Sequence, residues 1–457
     1  MRPQIIDITQ PSQGTPELGA GSEGIQEKPD LVPERQDAFG DEEHAEVKYK
    51  VLKWWQGGLL MVSETISLGI LSLPAAIAGL GLVPGLIVLI GFGILASYTG
   101  YVIGQFKWRY PHISSMADAG EMLMGRFGRE LFGTAQLLFL VFIMASHILT
   151  FTVALNVITN HATCSIVFGV VAFISIFTAV MITMIAVGIR NPDTIIHPTS
   201  KTNLVTACTA AANIGFSYVS HNTFFTFMAE LQDARDFPKA LALLQTIDMT
   251  LYIVAAVVIY RFAGPDVASP ALGSAGPLIS KIAYGVALPT VRNIYYHLNK
   301  YYSIFMEYPL IISLVQIVIA GVINSHVAAK SIYIRLFAGT DRMHKRDWVA
   351  VSSWIGISFG LWIIAWIIAS SIPVFSDLVS LITALFGSWF TFGFTGMFWF
   401  YMNKGLWFSS PRKIFLTALN AFIICVGVIL CALGLYTSGK SIHDNPSGAS
   451  FSCANNA

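Results

Sequence analysis

The chain has 457 residues, 54% of them apolar and only 12% charged, with a mean hydropathy of +0.64; an ordinary soluble domain carries about 25% charge. Its formal net charge of +1 hides a division, because residues 1–46 hold 11 acidic against 3 basic residues and carry −8, which leaves +9 on residues 47–457. A long apolar body behind a short acidic tail excludes a soluble cytosolic enzyme, a disulfide scaffold and a nucleic-acid reader, and points to an all-α polytopic membrane protein.

In chain order, residues 1–46 are rich in Gly, Pro, Glu, Asp, Ser and Gln and have too few large apolar side chains to offset the entropy of ordering, so a disordered tail is expected. It lacks the basic start and short apolar core of a signal peptide. From Trp54 onward come ten runs of the length and apolarity that a membrane-crossing helix needs, near 54–79, 82–106, 131–160, 164–189, 203–230, 239–262, 303–336, 348–371, 374–402 and 412–436, together making a transmembrane body over 47–437. Trp54, Trp55, Trp108, Trp348 and Trp407 stand near span ends, where an amphipathic ring prefers the headgroup region. The stretch 110–130 reads as a short amphipathic helix at a membrane face, 263–302 as a long polar-aromatic connection, and 438–457 as a polar C-terminal tail. Cys164, Cys208, Cys425, Cys431 and Cys453 are scattered without metal-ligand spacing, so they read as small packing residues. Asn445 precedes Pro446, so no glycosylation sequon marks an outer face.

Basic residues should give the orientation. The richest short connections are 107–129 (Lys107, Arg109, Arg126, Arg129), 335–346 (Arg335, Arg342, Lys345, Arg346) and 404–413 (Lys404, Arg412, Lys413). Five of the ten spans separate the first two. An odd count puts the two most basic connections on opposite faces, in conflict with the rule.

Two spans carry polar residues in their middles. The first reads Ser63-Glu64-Thr65-Ile66-Ser67-Leu68-Gly69-Ile70-Leu71-Ser72-Leu73-Pro74, and the fifth Asn213-Ile-Gly215-Phe216-Ser217-Tyr218-Val219-Ser220-His221-Asn222-Thr223. Each suits a helix that unwinds at the midplane and turns free backbone groups toward an ion or a zwitterion, the geometry of a secondary transporter; a Gly/Pro-kinked packing helix is the plainer alternative for the first. Glu64 and His221 are the ionisable groups nearest these breaks and are candidates to load a proton on one side and release it on the other, although His221 reads equally well as a hydrogen-bonded core histidine. His147, alone in an apolar run, reads as structural. Asn324 and Ser325 in the seventh span offer oxygens to a cation or substrate or to a neighbouring helix, and Lys330 reads as a snorkelling side chain. No nucleotide-binding loop, catalytic triad or metal-ligand spacing is present, which leaves transport coupled to an ion gradient with no cofactor and no enzymatic activity.

The run Glu64 to Pro74, followed by Gly79-Leu-Gly-Leu-Val-Pro-Gly85, is similar to the first-helix signature of the amino acid/auxin permease family. Phe216 to His221 through Glu230-Leu231 resembles that family's sixth helix, and Gly321-Val-Ile-Asn-Ser-His-Val-Ala-Ala-Lys330 its eighth. Within the family the chain most resembles fungal neutral amino acid permeases of the methyltryptophan-resistance type, over about 47–437. The resemblance implies a LeuT-like fold of eleven helices with two inverted five-helix repeats, a cytoplasmic N-terminus, and proton-coupled uptake of neutral aliphatic and aromatic amino acids across the plasma membrane, with the vacuolar membrane and sodium coupling as alternatives. It further implies that Ile66, Ser67, Leu68, Gly69 and Ile70 line one break and Phe216, Ser217, Tyr218 and Ser220 the other. Two departures stand out. The family has two spans where this chain has room only for 164–189, and restoring the missing one removes the parity conflict. Residues 291–316 form an aromatic insertion whose Val-Arg start and Gln end can be encoded with intron boundaries, so a mis-spliced, non-productive product is an alternative reading, as is a nutrient sensor.

Overall fold

The computed structural model describes residues 50–159, 198–263, 267, 269–271, 316–337, 348–372 and 374–444. In order these form α1 (Trp54–Leu80), α2 (Leu82–Arg109), α3 (Met116–Thr159), α4 (Leu204–Phe216), α5 (Phe224–Glu230), a short 3-10 turn (Ala234–Asp236), α6 (Phe237–Ala263), α7 (Gln316–Phe337), α8 (Trp348–Ser371), α9 (Phe375–Met402) and α10 (Pro411–Asp444). Among the described residues six helices are long and apolar enough to cross a membrane, and α1 makes a seventh when its two bent halves are taken together. The expected all-α polytopic architecture is what is seen. The expected span 164–189, the N-terminal tail and nearly all of 263–302 and 291–316 lie outside the described residues, while α10 continues past the expected boundary at 437 to Asp444.

Polarity is distributed as a bilayer requires. Ile87, Ile90 and Ile94 on α2, Phe359, Ile363 and Ile367 on α8, and Phe422 and Ile429 on α10 are exposed, in rows three, four or seven apart that give each helix an apolar outer stripe. Inside sit Ser72, Thr99, Asn213, His221, Asp248, Ser380, Thr391 and Asn420, all nearly or fully buried. Hydrogen bonds join helices through these groups: Asn420 Nδ2 donates to Tyr98 Oη at 2.7 Å, and Ser380 and Ser438 hydroxyls lie 2.8 Å apart, the usual cement between helices in lipid. Aromatic rings fill the space between α3 and α9, where Phe132 stacks on Phe394 with centroids 3.8 Å apart and Phe139 meets Phe390 at 5.9 Å.

The amphipathic piece expected at 110–130 is the first part of α3. Its N-terminus is closed by Asp118 Oδ2, which accepts from Ser114 N, Ser115 N and Ser114 Oγ at 2.9–3.0 Å, while Ser115 Oγ accepts from Asp118 N at 3.2 Å, a reciprocal cap of two orphan donors. The helix then kinks at Met124 and at Gly125, whose φ of 63° suits a residue without a Cβ.

Contacts fix which connections share a face. Leu52 N donates to Glu230 O and Gln232 N to Leu52 O at 3.0 and 2.9 Å, tying the lead-in of α1 to the end of α5. Trp108 Nε1 donates to Ala234 O at 2.8 Å, and Arg335 at the end of α7 pairs with Glu130 at 3.1 Å. The C-terminal ends of α2 and α7 are therefore at the same end of the bundle; the residues through which the span count between them runs, 160–197 and most of 264–315, lie outside the described ones. At the other end Gly81, with φ 87°, turns α1 into α2, and Val83 N donates to Pro198 O at 3.0 Å.

Candidate functional site

α1 does not run straight: Trp54–Ile66 and Leu68–Leu80 meet at 48°. Pro74 within α1 has no N–H to give to the carbonyl one turn back at Ile70, and Ser72 Oγ takes up Gly69 O at 2.9 Å while also reaching Asn213 O at 3.3 Å. The fifth predicted span is broken outright, with Ser217–Thr223 lying between α4 and α5 and belonging to neither helix. Turn-type bonds replace the helical ladder there, including Ser217 N to Ile214 O, Tyr218 N to Gly215 O and Thr223 N to Ser220 O at 3.1–3.2 Å.

Side chains from three other helices catch what the unwinding frees. Tyr252 Oη on α6 donates to Ser217 O at 2.9 Å, Gln136 Nε2 on α3 donates to Asn222 O at 2.8 Å, and His221 Nε2 lies 2.9 Å from Thr99 Oγ1 and 3.1 Å from Ala96 O on α2. The two breaks touch directly. A Cβ on Gly69 would stand 2.8 Å from Ser217 Cα, so only glycine permits this approach.

Glu64 connects them chemically. Its Oε2 is 2.9 Å from Thr223 Oγ1, which is also 2.8 Å from Ser220 O. Thr223 has one hydroxyl proton and two acceptors. A protonated Glu64 donates to Thr223, freeing Thr223 to serve Ser220; an ionised Glu64 takes the Thr223 proton and leaves Ser220 O without it. The protonation state of Glu64 is thus linked to the hydrogen bonding of the unwound stretch.

Beside Glu64 is a cavity of about 20 Å³, room on the scale of a water molecule. Its wall is Glu64, Thr65 and Leu68 from α1, Phe216 and Val219 from the second break, Phe139, Ile143 and His147 from α3, and Asn324 from α7. A second cavity of about 630 Å³, within the range of small-molecule sites, opens where α1 ends and α4 begins, and is lined also by Ser376 and Asp377 of α9 and by Tyr436, Lys440, Ser441 and Asp444 of α10. Asn213 lines it too and donates from Nδ2 to Ser376 Oγ at 2.9 Å, while its carbonyl faces Ser72. The wide cavity and the narrow one are therefore separated by about one turn of α4.

Of the residues singled out in the sequence, Glu64, Leu68, Phe216 and Asn324 line the narrow cavity, and Gly69 and Ser217 form the contact between breaks. Ile66, Ile70, Ser220 and Ser325 are buried nearby without lining it, and the side chain of Ser67 lies outside the described ones. Tyr218 turns away toward Gly93 and the ring of Tyr252, and His221 toward α2. Sequence reasoning missed Phe139, Ile143 and Val219 as wall residues and Asp248 and Tyr252 behind the breaks, and His147, read as structural, also lines the cavity with Nδ1 2.8 Å from Ile143 O. For Asp248 a signal existed: a carboxylate between Lys239 and Arg261 in an otherwise uncharged run.

The sequence profile of the family described as "Transmembrane amino acid transporter protein" matches residues 50–191 and 155–439. The chain is 34% identical to the "N amino acid transport system protein" of Neurospora crassa over 449 residues, covering 91% of this chain and 88% of that protein. It is 26% identical to a "Transmembrane transporter" of Gibberella moniliformis, covering 90% and 89%. The crystal structure of MhsT in complex with L-phenylalanine overlaps 86% of this chain and 99% of its own, with 14% identity and a TM-score of 0.45.

Proposed function

The chain belongs to the transmembrane amino acid transporter family, and from that premise we propose that it imports neutral aliphatic and aromatic amino acids by proton symport with alternating access. Amino-acid transport follows from the family; the neutral substrate class and the proton are the finer reading. The observation that carries it is the meeting of two discontinuous helices at Gly69 and Ser217 beside a half-buried carboxyl, Glu64, that lines the narrow cavity. Half-helix ends and free backbone groups hold the charged ends of an amino acid, while Leu68, Phe139, Ile143, Phe216 and Val219 offer its side chain apolar surface. No lysine or arginine lines this cavity among the described residues, which favours substrates without an acidic side chain. Glu64 is the coupling group in this reading, Asn324 and Ser325 are polar supports on α7, and the N-terminus is cytoplasmic with the basic end of the bundle.

Uptake of radiolabelled L-leucine and L-phenylalanine by transporter-deficient yeast, at acidic external pH and with or without a protonophore, tests this. Accumulation abolished by the protonophore is expected. Accumulation that depends on external sodium and ignores the protonophore excludes the proton. A surface-inserted protein that moves neither amino acid favours the second reading, a transport-deficient sensor or non-productive product, for which the shortage of chain between α3 and α4 speaks.

A further inference from the structure

A carboxyl that lines neither cavity is buried on α6. Asp248 is on α6, nine residues from Lys239 and thirteen from Arg261, hence roughly 14 and 20 Å along the axis from either charge at about 1.5 Å per residue. It is 1% exposed, its Oδ1 meets no hydrogen-bond donor, and no ion pair includes it among the described residues. Its neighbour on α1 is Thr65, which lines the narrow cavity next to Glu64.

The hydroxyl protons around Asp248 are already committed. Thr65 Oγ1 reaches Met61 O and Val62 O at 3.1 and 3.2 Å, and Tyr252 Oη donates to Ser217 O. Each hydroxyl has one proton, so the carboxyl must bring its own to be satisfied while both helix breaks keep these bonds. Ionising it draws the Thr65 proton from α1 or the Tyr252 proton from the unwound stretch. The ionisable groups facing this spot are Tyr252 on α6 itself and Tyr218 in the second break; Glu64 on α1 turns to Thr223, and on α2 Tyr98 turns to Asn420 while His221 turns to Thr99. None supplies a positive charge. A metal cation would need about six oxygen ligands and space for itself, whereas Asp248 lines neither cavity; a proton needs no room.

We propose that Asp248 is a second proton-carrying group of the transport cycle, loaded from the narrow cavity through the Thr65 hydroxyl and holding both helix breaks in register when protonated. The proposal rests on the proton-symport reading above and adds a site to it. The test uses the full chain in proteoliposomes containing a pH-sensitive dye, with radiolabelled L-leucine as probe, and reads protons moved per leucine. Asp248→Asn is expected to lower that ratio about twofold relative to the wild type, as loss of one of two carriers requires, with Asp248→Glu restoring it. An unchanged ratio in Asp248→Asn overturns the proposal. Where Asp248→Asn does not insert, Thr65→Val, which keeps the carboxyl and removes its relay, is read instead: a lowered ratio supports the relay and an unchanged one overturns it. Wild-type leucine flux without proton flux defeats the symport reading itself, and is recognised because it needs no variant.

Discussion

Glu64 and His221 looked alike in the sequence, two ionisable residues beside two breaks, and the structure separates them. Glu64 lines the cavity and shares Thr223 with Ser220 O; the His221 ring lies against Thr99 and Ala96 on α2, with Phe224 4.7 Å away. Glu64→Gln supplies the N–H donor that a protonated carboxyl would offer Thr223, but no proton to release. It should leave the protein stable, flatten the rise of leucine uptake toward acidic pH, and remove protonophore sensitivity; uptake with a wild-type pH profile would clear Glu64 of coupling. His221→Ala removes a fully buried ring without reaching the cavity, and Thr99 keeps its bonds to Leu95 O and Ala96 O. It should cost about 2–5 kcal/mol of stability, the range for a large side chain deleted from a packed core, and lower the thermal midpoint of the purified protein while the pH profile of remaining uptake keeps its shape. The residue types at the breaks were legible because glutamate, serine, glycine and proline are poor choices for a lipid-facing helix. Which way each side chain turned was not, since at 3.6 residues per turn neighbours in sequence point to different helices.

At the level of elements, both breaks were legible, and their contact was not. The fit depends on Gly69: a methyl there would lie 2.8 Å from Ser217 Cα and 2.9 Å from Ser217 Oγ. Gly69→Ala should therefore force α1 and α4 apart at the midplane at a cost of about 1–3 kcal/mol, typical of overpacking, and reduce leucine uptake at equal surface expression. Gly91→Ala on α2 is the control, because a Cβ there meets nothing within 4 Å; equal thermal midpoints for the two variants would mean the breaks have room to spare. The eleven-residue π-helical stretch Thr383–Gly393 in α9 left no mark in the sequence that a span search detects. Its wider turns bring Gly387 against Val219 of the second break and Thr383 against Gly215, so α9 shapes the site without supplying an obvious motif. The wall formed by Phe139, Ile143 and His147 was hidden for a related reason: α3 is apolar nearly all round, and hydropathy alone does not say which face meets a cavity.

For the whole molecule, the path of the chain between α3 and α4 points to missing residues. Arg335 beside Glu130 puts the C-terminal end of α7 at the same end as the start of α3. From Glu130 the third helix runs on to Thr159, about 43 Å at 1.5 Å per residue, which carries it to the other end; Pro198, bonded to Val83 just after the Gly81 turn, is at that other end too. An even number of crossings joins two points on one face, so the single expected span 164–189 does not close the path. Two spans need about 20 residues each and a turn between them, more than the 38 residues 160–197 contain. The family profile is consistent with such a shortage, since its two matched stretches both claim residues 155–191. We therefore expect the mature messenger RNA to encode additional apolar residues between positions 160 and 203, on the order of one span, and to lack the codons for 291–316. A transcript that encodes both regions as they stand overturns this. Expressed beside the 457-residue form, the longer form is expected to accumulate leucine at the higher rate; equal rates at equal surface expression would show that the 457-residue chain transports without the added residues.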